Sequence, residues 1–129
     1  MVLCSGAFDG LHAGHVRYLT AAARLCPRER LYVAIAPDSY IRSAKHRAPY
    51  WSQDDRAEAV LALGVVDRVL LQTDDTPAAL IRDYHPTTFA KGMDWTDRLP
   101  EEVLAACQAV GCVVRMVQTP GRHVREARG

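Results

Sequence analysis

The sequence predicts an α/β domain: a doubly wound, five-stranded parallel sheet with helices on both faces. Two observations predict it. Short apolar runs alternate with helix-like segments from one end of the chain to the other, an order that favours parallel strands joined by crossover helices. The glycine-rich, histidine-rich and charged segments also fall directly after the apolar runs, at the strand ends where ligands bind in such sheets.

The elements follow in order. Val2–Ser5 reads as a short buried strand. HVRYLTAAARLC places Val16, Leu19, Ala23 and Cys26 at helical spacing, with the helix opening near Ala13 and Pro27 as its stop. Residues 31–36, LYVAIA, form a second buried strand. Asp38 is placed to cap a short helical turn through Ile41, and residues 42–51 lack periodicity and read as an exposed loop. Ser52 is the expected N-cap of the next helix, with acidic residues in its first turn and Gly64 as its C-terminal cap. Residues 65–72 are the third strand. Thr76-Pro77 starts a helix that runs to about Tyr84 and stops at His85-Pro86. Residues 87–92 are the fourth strand, leaving at Gly92. Pro100-Glu101-Glu102 opens the last helix, Gly111 closes it, and residues 112–117 are the fifth strand.

The chain has 129 residues, which suits one compact domain spanning 1–129. It is 49% apolar and 24% charged, with a net charge of +1. That balance supplies no electrostatic footprint for nucleic acid or an anionic membrane. No apolar run approaches the ~20 residues of a membrane span. The N-terminus shows no secretory signal pattern. Cys4, Cys26, Cys107 and Cys112 are expected as free thiols, and the expected location is cytoplasmic.

Residues 6–15, GAFDGLHAGH, put three glycines and two histidines at the end of the first strand. Gly6 and Gly10 permit close backbone approach or positive φ. The helix that follows turns free N–H groups and a positive dipole end toward the turn, which suits phosphate. No Gly-Lys-Ser/Thr follows, so this is neither a Walker loop nor a G-x-G-x-x-G turn. His12 and His15, three apart, can share one side of the first helical turn and donate to a phosphoryl group. Read from residue chemistry alone, the pair is also compatible with a structural cap or with metal ligation. A catalytic zinc wants three protein ligands, however, and no third is evident.

GAFDGLHAGH resembles the G-x-F-D-x-x-H-x-G-H signature of the nucleotidyltransferase superfamily that includes cytidylyltransferases and several adenylyltransferases. HAGHVRYL, the lysine of SAKHRAP, the arginine of QDDRAEAVLAL, VDRVLL, DDTPAALI and KGMDW occur in the corresponding order, so the resemblance covers nearly the whole chain. Together they are most similar to the heptose 1-phosphate adenylyltransferases, while Asp94-Trp95 resembles a D-D-W stretch of glycerol-3-phosphate cytidylyltransferases.

The resemblance implies a Rossmann-like nucleotidyltransferase fold and a nucleoside triphosphate, with ATP favoured over CTP. Its α-phosphate would be attacked by a phosphorylated small molecule such as a sugar phosphate, with release of pyrophosphate. It implies catalytic roles for His12, His15 and Lys45. It implies nucleotide contacts from Gly6, Ala7, Phe8, Gly14, Lys91, Thr119 and Gly121, and a substrate pocket that includes Asp9, Arg56 and Asp94. A helix-surface ion pair is the structural alternative for Arg56, and holding the turn together is that for Asp9. Mg²⁺ is expected with the triphosphate, held by phosphate oxygens and water rather than by a protein metal site. Family members are often dimers, so a homodimer is a further expectation.

One segment departs from the pattern. Where the family carries a serine-threonine cluster for the β- and γ-phosphates, this chain reads QTPGRHVREARG. Arg122 or Arg125 could hold phosphate there through a bidentate fork, and a frayed basic tail is the alternative. The departure leaves open a nucleotide-binding module without turnover, and the two histidines leave open a metal-dependent hydrolase.

Overall fold

The computed structural model describes residues 1–118. Five strands, β1 (Val2–Gly6), β2 (Leu31–Ile35), β3 (Arg68–Leu71), β4 (Thr88–Gly92) and β5 (Val113–Val117), form one sheet in the order β3-β2-β1-β4-β5. All four pairings are parallel, and Cys4 of β1 lies between Val33 of β2 and Ala90 of β4. The chain steps outward from β1 to β3, then returns across the sheet to β4. The reversal opens a crevice at the carboxyl ends of β1 and β4, where doubly wound sheets bind ligands.

Alternation along β1 splits the core between the two faces of the sheet. Val2 and Cys4 join Leu19 and Ala22 of helix α1 (Ala13–Leu25) and Ala57 and Val60 of α3 (Gln53–Leu61). Leu3, on the opposite face, joins Ile81 of α4 (Ala78–Tyr84) and Val103 and Ala106 of α5 (Glu101–Val110). The doubly wound parallel sheet expected from the sequence is therefore present.

Several boundaries differ from expectation for identifiable reasons. Helix α2 spans Asp38–Lys45 rather than stopping at Ile41, and His46 closes it in a left-handed conformation (φ 56°). Only Ile41 of α2 is buried, so its last turn leaves no apolar periodicity to read. Asp38 is its first helical residue and Pro37 its N-cap. Ser52 does cap α3, accepting the Asp55 N–H, but that helix ends at Leu61 with Ala62 rather than Gly64 as its cap. β3 begins at Arg68, not at residue 65, because Val66 N–H is already used in a turn with the Leu63 carbonyl. The buried stripe of α1 is Tyr18, Leu19 and Ala22, and Val16 is exposed. A single 3₁₀ turn, Met93–Trp95, follows β4. All four cysteines are free thiols. Among the described residues, no helix is long and apolar enough to cross a membrane.

Candidate active site

The turn between β1 and α1 is built around Phe8. Its backbone is left-handed (φ 53°), an uncommon state for a bulky residue, and its ring is buried. A Cβ on Gly6 would lie 2.9 Å from that ring, so Gly6 is what lets Phe8 fold beneath the turn. Gly10 supplies the second positive φ, 88°. The Phe8 ring then meets His15 edge-on at 5.1 Å.

The two histidines are held by the backbone they cap. His12 is the N-cap of α1, and its Nδ1 accepts the Gly14 N–H at 3.0 Å. The His12 N–H donates to Nδ1 of His15 at 3.2 Å. The imidazoles stack with centroids 3.9 Å apart. A Cβ on Gly14 would sit 2.8 Å from His12 Cε1, so the His-x-Gly-His spacing keeps room for this fold-back. Because each Nδ1 accepts, a neutral ring carries its proton on Nε2. Burial, reinforced by His12, Lys45 and Lys91, drives the His15 pKa down to about 4, so His15 is neutral at pH 7.

Two side chains fix the walls. The Asp9 carboxylate accepts from Arg47 Nη1 (2.8 Å), Tyr50 N–H (2.9 Å) and Trp51 N–H (3.0 Å). Burial acts to raise its pKa, but these donors outweigh it and hold the carboxyl below its ordinary value. Arg56 is completely buried. It donates to the carbonyls of Trp51 (3.1 Å), Ala7 (2.7 Å) and Ala36 (2.8 Å), and to Asp38 Oδ1 (2.7 Å).

Around this frame lies a cleft of about 630 Å³ along the carboxyl edge of the sheet. Lys91, at the end of β4, is nearly buried and donates to the Ser5 carbonyl at 2.6 Å. Its Nζ stands 4.6 Å from the Trp95 ring centroid, and Arg98 approaches the same ring at 5.1 Å. Burial lowers the Lys91 pKa to about 8, although Cys4 and Asp94 pull the other way. Beneath it, burial pushes the Cys4 thiol up to about 12. Tyr18 Oη donates to the Ala90 carbonyl at 2.5 Å, tying α1 to β4.

The cytidylyltransferase-like family matches residues 3–125. The chain belongs to the cytidylyltransferase-like family. Its relatives include two proteins named bifunctional protein HldE. That of Photobacterium profundum is 40% identical over 111 residues, covering 85% of this chain and 22% of the relative. That of Campylobacter concisus is 42% identical over 96 residues, covering 74% and 20%. The chain thus spans about a fifth of the length of these relatives. Among solved structures, a lipopolysaccharide core biosynthesis protein of Thermoplasma volcanium superimposes with a TM-score of 0.73 at 28% identity, covering 92% of this chain and 93% of that one. A protein of unknown function from Archaeoglobus fulgidus shares the fold, with a TM-score of 0.67 at 18% identity over 90% of this chain and 87% of that one.

Within this cytidylyltransferase-like domain, Gly6, Ala7, Phe8, Asp9, His12, Gly14, His15, Lys45, Lys91 and Asp94 all line the cleft. Arg56, expected in the substrate pocket, is not among the lining residues: its buried guanidinium bonds Trp51, Ala7, Ala36 and Asp38, which places it in the frame behind the cleft. Asp9 lines the cleft with both oxygens engaged by the 47–51 segment, in keeping with a turn-holding role. Thr119, Gly121, Arg122 and Arg125 lie outside the described residues. The cleft also includes Tyr40, Gln72, Asp75, Thr76 and Arg98, which the sequence did not single out. Gln72 follows directly on β3, so the rule that ligands sit beyond strand ends was the available signal for it.

Proposed function

We propose that this domain transfers a nucleotidyl group from a nucleoside triphosphate, ATP in preference to CTP, to a sugar phosphate such as a heptose 1-phosphate, releasing pyrophosphate. The observation that carries the reading is the histidine pair, with both Nδ1 atoms occupied and both Nε2–H donors left for a ligand. Such donors stabilise charge that develops on phosphoryl oxygens, which is most of what phosphoryl transfer asks of a protein.

Cationic groups stand on both sides of β1, and the reading divides the reacting phosphates between them. Lys91 and Arg98 belong to the β4 side, and Lys45 ends the helix that follows β2. In-line displacement puts the attacking and leaving oxygens on opposite sides of phosphorus. The departing pyrophosphate is held toward Lys91 and Arg98, and the acceptor phosphate comes from the side of Lys45. A bond forms between an acceptor phosphate oxygen and the α-phosphorus. The bond to the bridging oxygen breaks, and its electron pair leaves on pyrophosphate. The attacking oxygen is already anionic, so no general base is needed, and a neutral His15 suits a hydrogen-bond donor better than an acid.

The donor set fits a nucleotide that brings its own magnesium. Mg²⁺ characteristically keeps water and phosphate oxygens with one or two carboxylates. Asp75 and Asp94 are the cleft carboxylates available to it, and the ion would supply neutralisation of phosphate charge.

The test is pyrophosphate release by wild-type protein with ATP or CTP against a panel of sugar and polyol phosphates. Release with ATP and a heptose 1-phosphate is expected. Triphosphate binding by calorimetry with no release across the panel would overturn the enzyme reading in favour of a binding module. Preference for CTP with glycerol 3-phosphate would replace the substrate assignment.

A further inference from the structure

Gln72 stands apart from the groups that hold the phosphates. It directly follows β3, is 2% exposed and still lines the cleft. Its backbone is pinned: Gln53 Nε2 donates both to the Gln72 carbonyl (2.8 Å) and to the Ile35 carbonyl (2.9 Å), bridging the ends of β3 and β2. Its side chain is pinned as well, since Nε2 donates to the Asp74 carbonyl at 3.1 Å. That bond fixes the amide orientation, because a flipped amide would set oxygen against oxygen. Oε1 is then buried with no hydrogen-bond partner among the described residues. An acceptor in that state carries a penalty unless something donates to it, and native proteins rarely leave one so.

We propose that Gln72 Oε1 accepts a hydrogen bond from a hydroxyl of the acceptor substrate and so selects a polyhydroxylated phosphate over a deoxy one. The placement rests on the nucleotidyl-transfer reading for the direction of attack. Sheet order puts Gln72 on the β2–β3 side, across β1 from Lys91, Trp95 and Arg98, and therefore on the side from which the acceptor comes. Tyr40, Asp75 and Thr76 line the same cleft and give that end hydroxyl-compatible chemistry. A carboxamide oxygen accepts but carries no charge. It therefore rewards a donor on the acceptor without competing with Lys45 for the phosphate. A site built to bond a hydroxyl rejects the analogue that lacks it, because its own buried group is then left unpaired.

The experiment measures equilibrium binding, so it does not depend on turnover. Sugar 1-phosphates and glycerol 3-phosphate, each with its monodeoxy counterparts, are titrated by calorimetry into wild type and Gln72→Met in the presence of a non-hydrolysable triphosphate analogue. Wild type is expected to prefer one hydroxylated member over its deoxy counterpart by on the order of 10-fold or more. Gln72→Met should erase that preference while binding the triphosphate analogue as wild type does. In wild type, the Gln72 side-chain amide resonances should shift with the hydroxylated ligand and not with the deoxy one, a readout that needs no variant. Equal binding of every hydroxylated and deoxy pair by wild type, or a preference that survives in Gln72→Met, overturns the proposal. Pyrophosphate release is assayed separately. Discrimination at Gln72 without any release would sink the transfer reading and leave the hydroxyl site standing.

Discussion

His12 and His15 are each other's scaffold: the backbone N–H of one is bonded to the ring of the other, and their imidazoles stack 3.9 Å apart. The arrangement presents two parallel donors rather than an acid and a base. Replacing either with alanine should lower kcat by on the order of 10²–10³-fold, as for removal of one oxyanion donor. The triphosphate dissociation constant should change much less. Single-turnover kinetics beside calorimetric binding separates the two, and a His15→Ala protein with full kcat would exclude the role.

A second expectation concerns acid. The His15 pKa lies near 4 in the folded protein against an ordinary 6.5. Between those values the unfolded chain holds more protons than the folded one, so stability rises with pH through this window. The contribution is complete above pH 6.5 and is lost as pH falls toward 4. Urea unfolding at intervals from pH 4 to 7 should give a shallower slope for His15→Asn than for wild type.

Lys91 sets the alkaline limit. Its ammonium loses its proton near pH 8, and a bound polyphosphate favours the charged form. Triphosphate affinity should therefore weaken as pH rises through 8, with proton uptake on binding above that point. Calorimetry in buffers of different ionisation enthalpy reads the uptake directly. Lys91→Met should abolish it and weaken binding by on the order of 10²-fold.

The fold and half of the site were legible in the sequence because their signals are local. GAFDGLHAGH is contiguous, and its glycine spacing expresses contacts made within the turn, Gly6 against Phe8 and Gly14 against His12. Lys91 and Asp94 could be placed because one lies near the end of a readable strand and the other directly beyond it. What stayed hidden is long-range. Arg56 reaches carbonyls 49 and 20 residues away, at Ala7 and Ala36, and backbone acceptors leave no trace in residue type. The unpaired oxygen of Gln72 depends on how a neighbouring carbonyl orients its amide, which no pattern of hydropathy records.

Arg56→Ala should therefore act on stability first. It strips hydrogen-bond donors from three backbone carbonyls and leaves Asp38 without its ion-pair partner, a loss of about 3 kcal/mol or more. Arg56→Lys should recover little of it, since one ammonium cannot reproduce the planar fork. Chemical denaturation of both variants checks this. If Arg56→Ala unfolds like wild type but binds substrate poorly, the structural assignment is wrong.

Arg56 also has a mechanical consequence. One guanidinium rivets the loop after β1, the end of β2 and the entry to α3 to a common point, and Asp9 fastens the 47–51 segment to the same body. These pieces form the wall on the β2 side of β1, and none can move without breaking several of these bonds at once. Across β1, the Met93–Trp95 turn meets the rest through Lys91 and ring faces. The two sides of the cleft are thus braced unequally, one by a mesh of hydrogen bonds to shared anchors and the other largely by a lysine and an aromatic face.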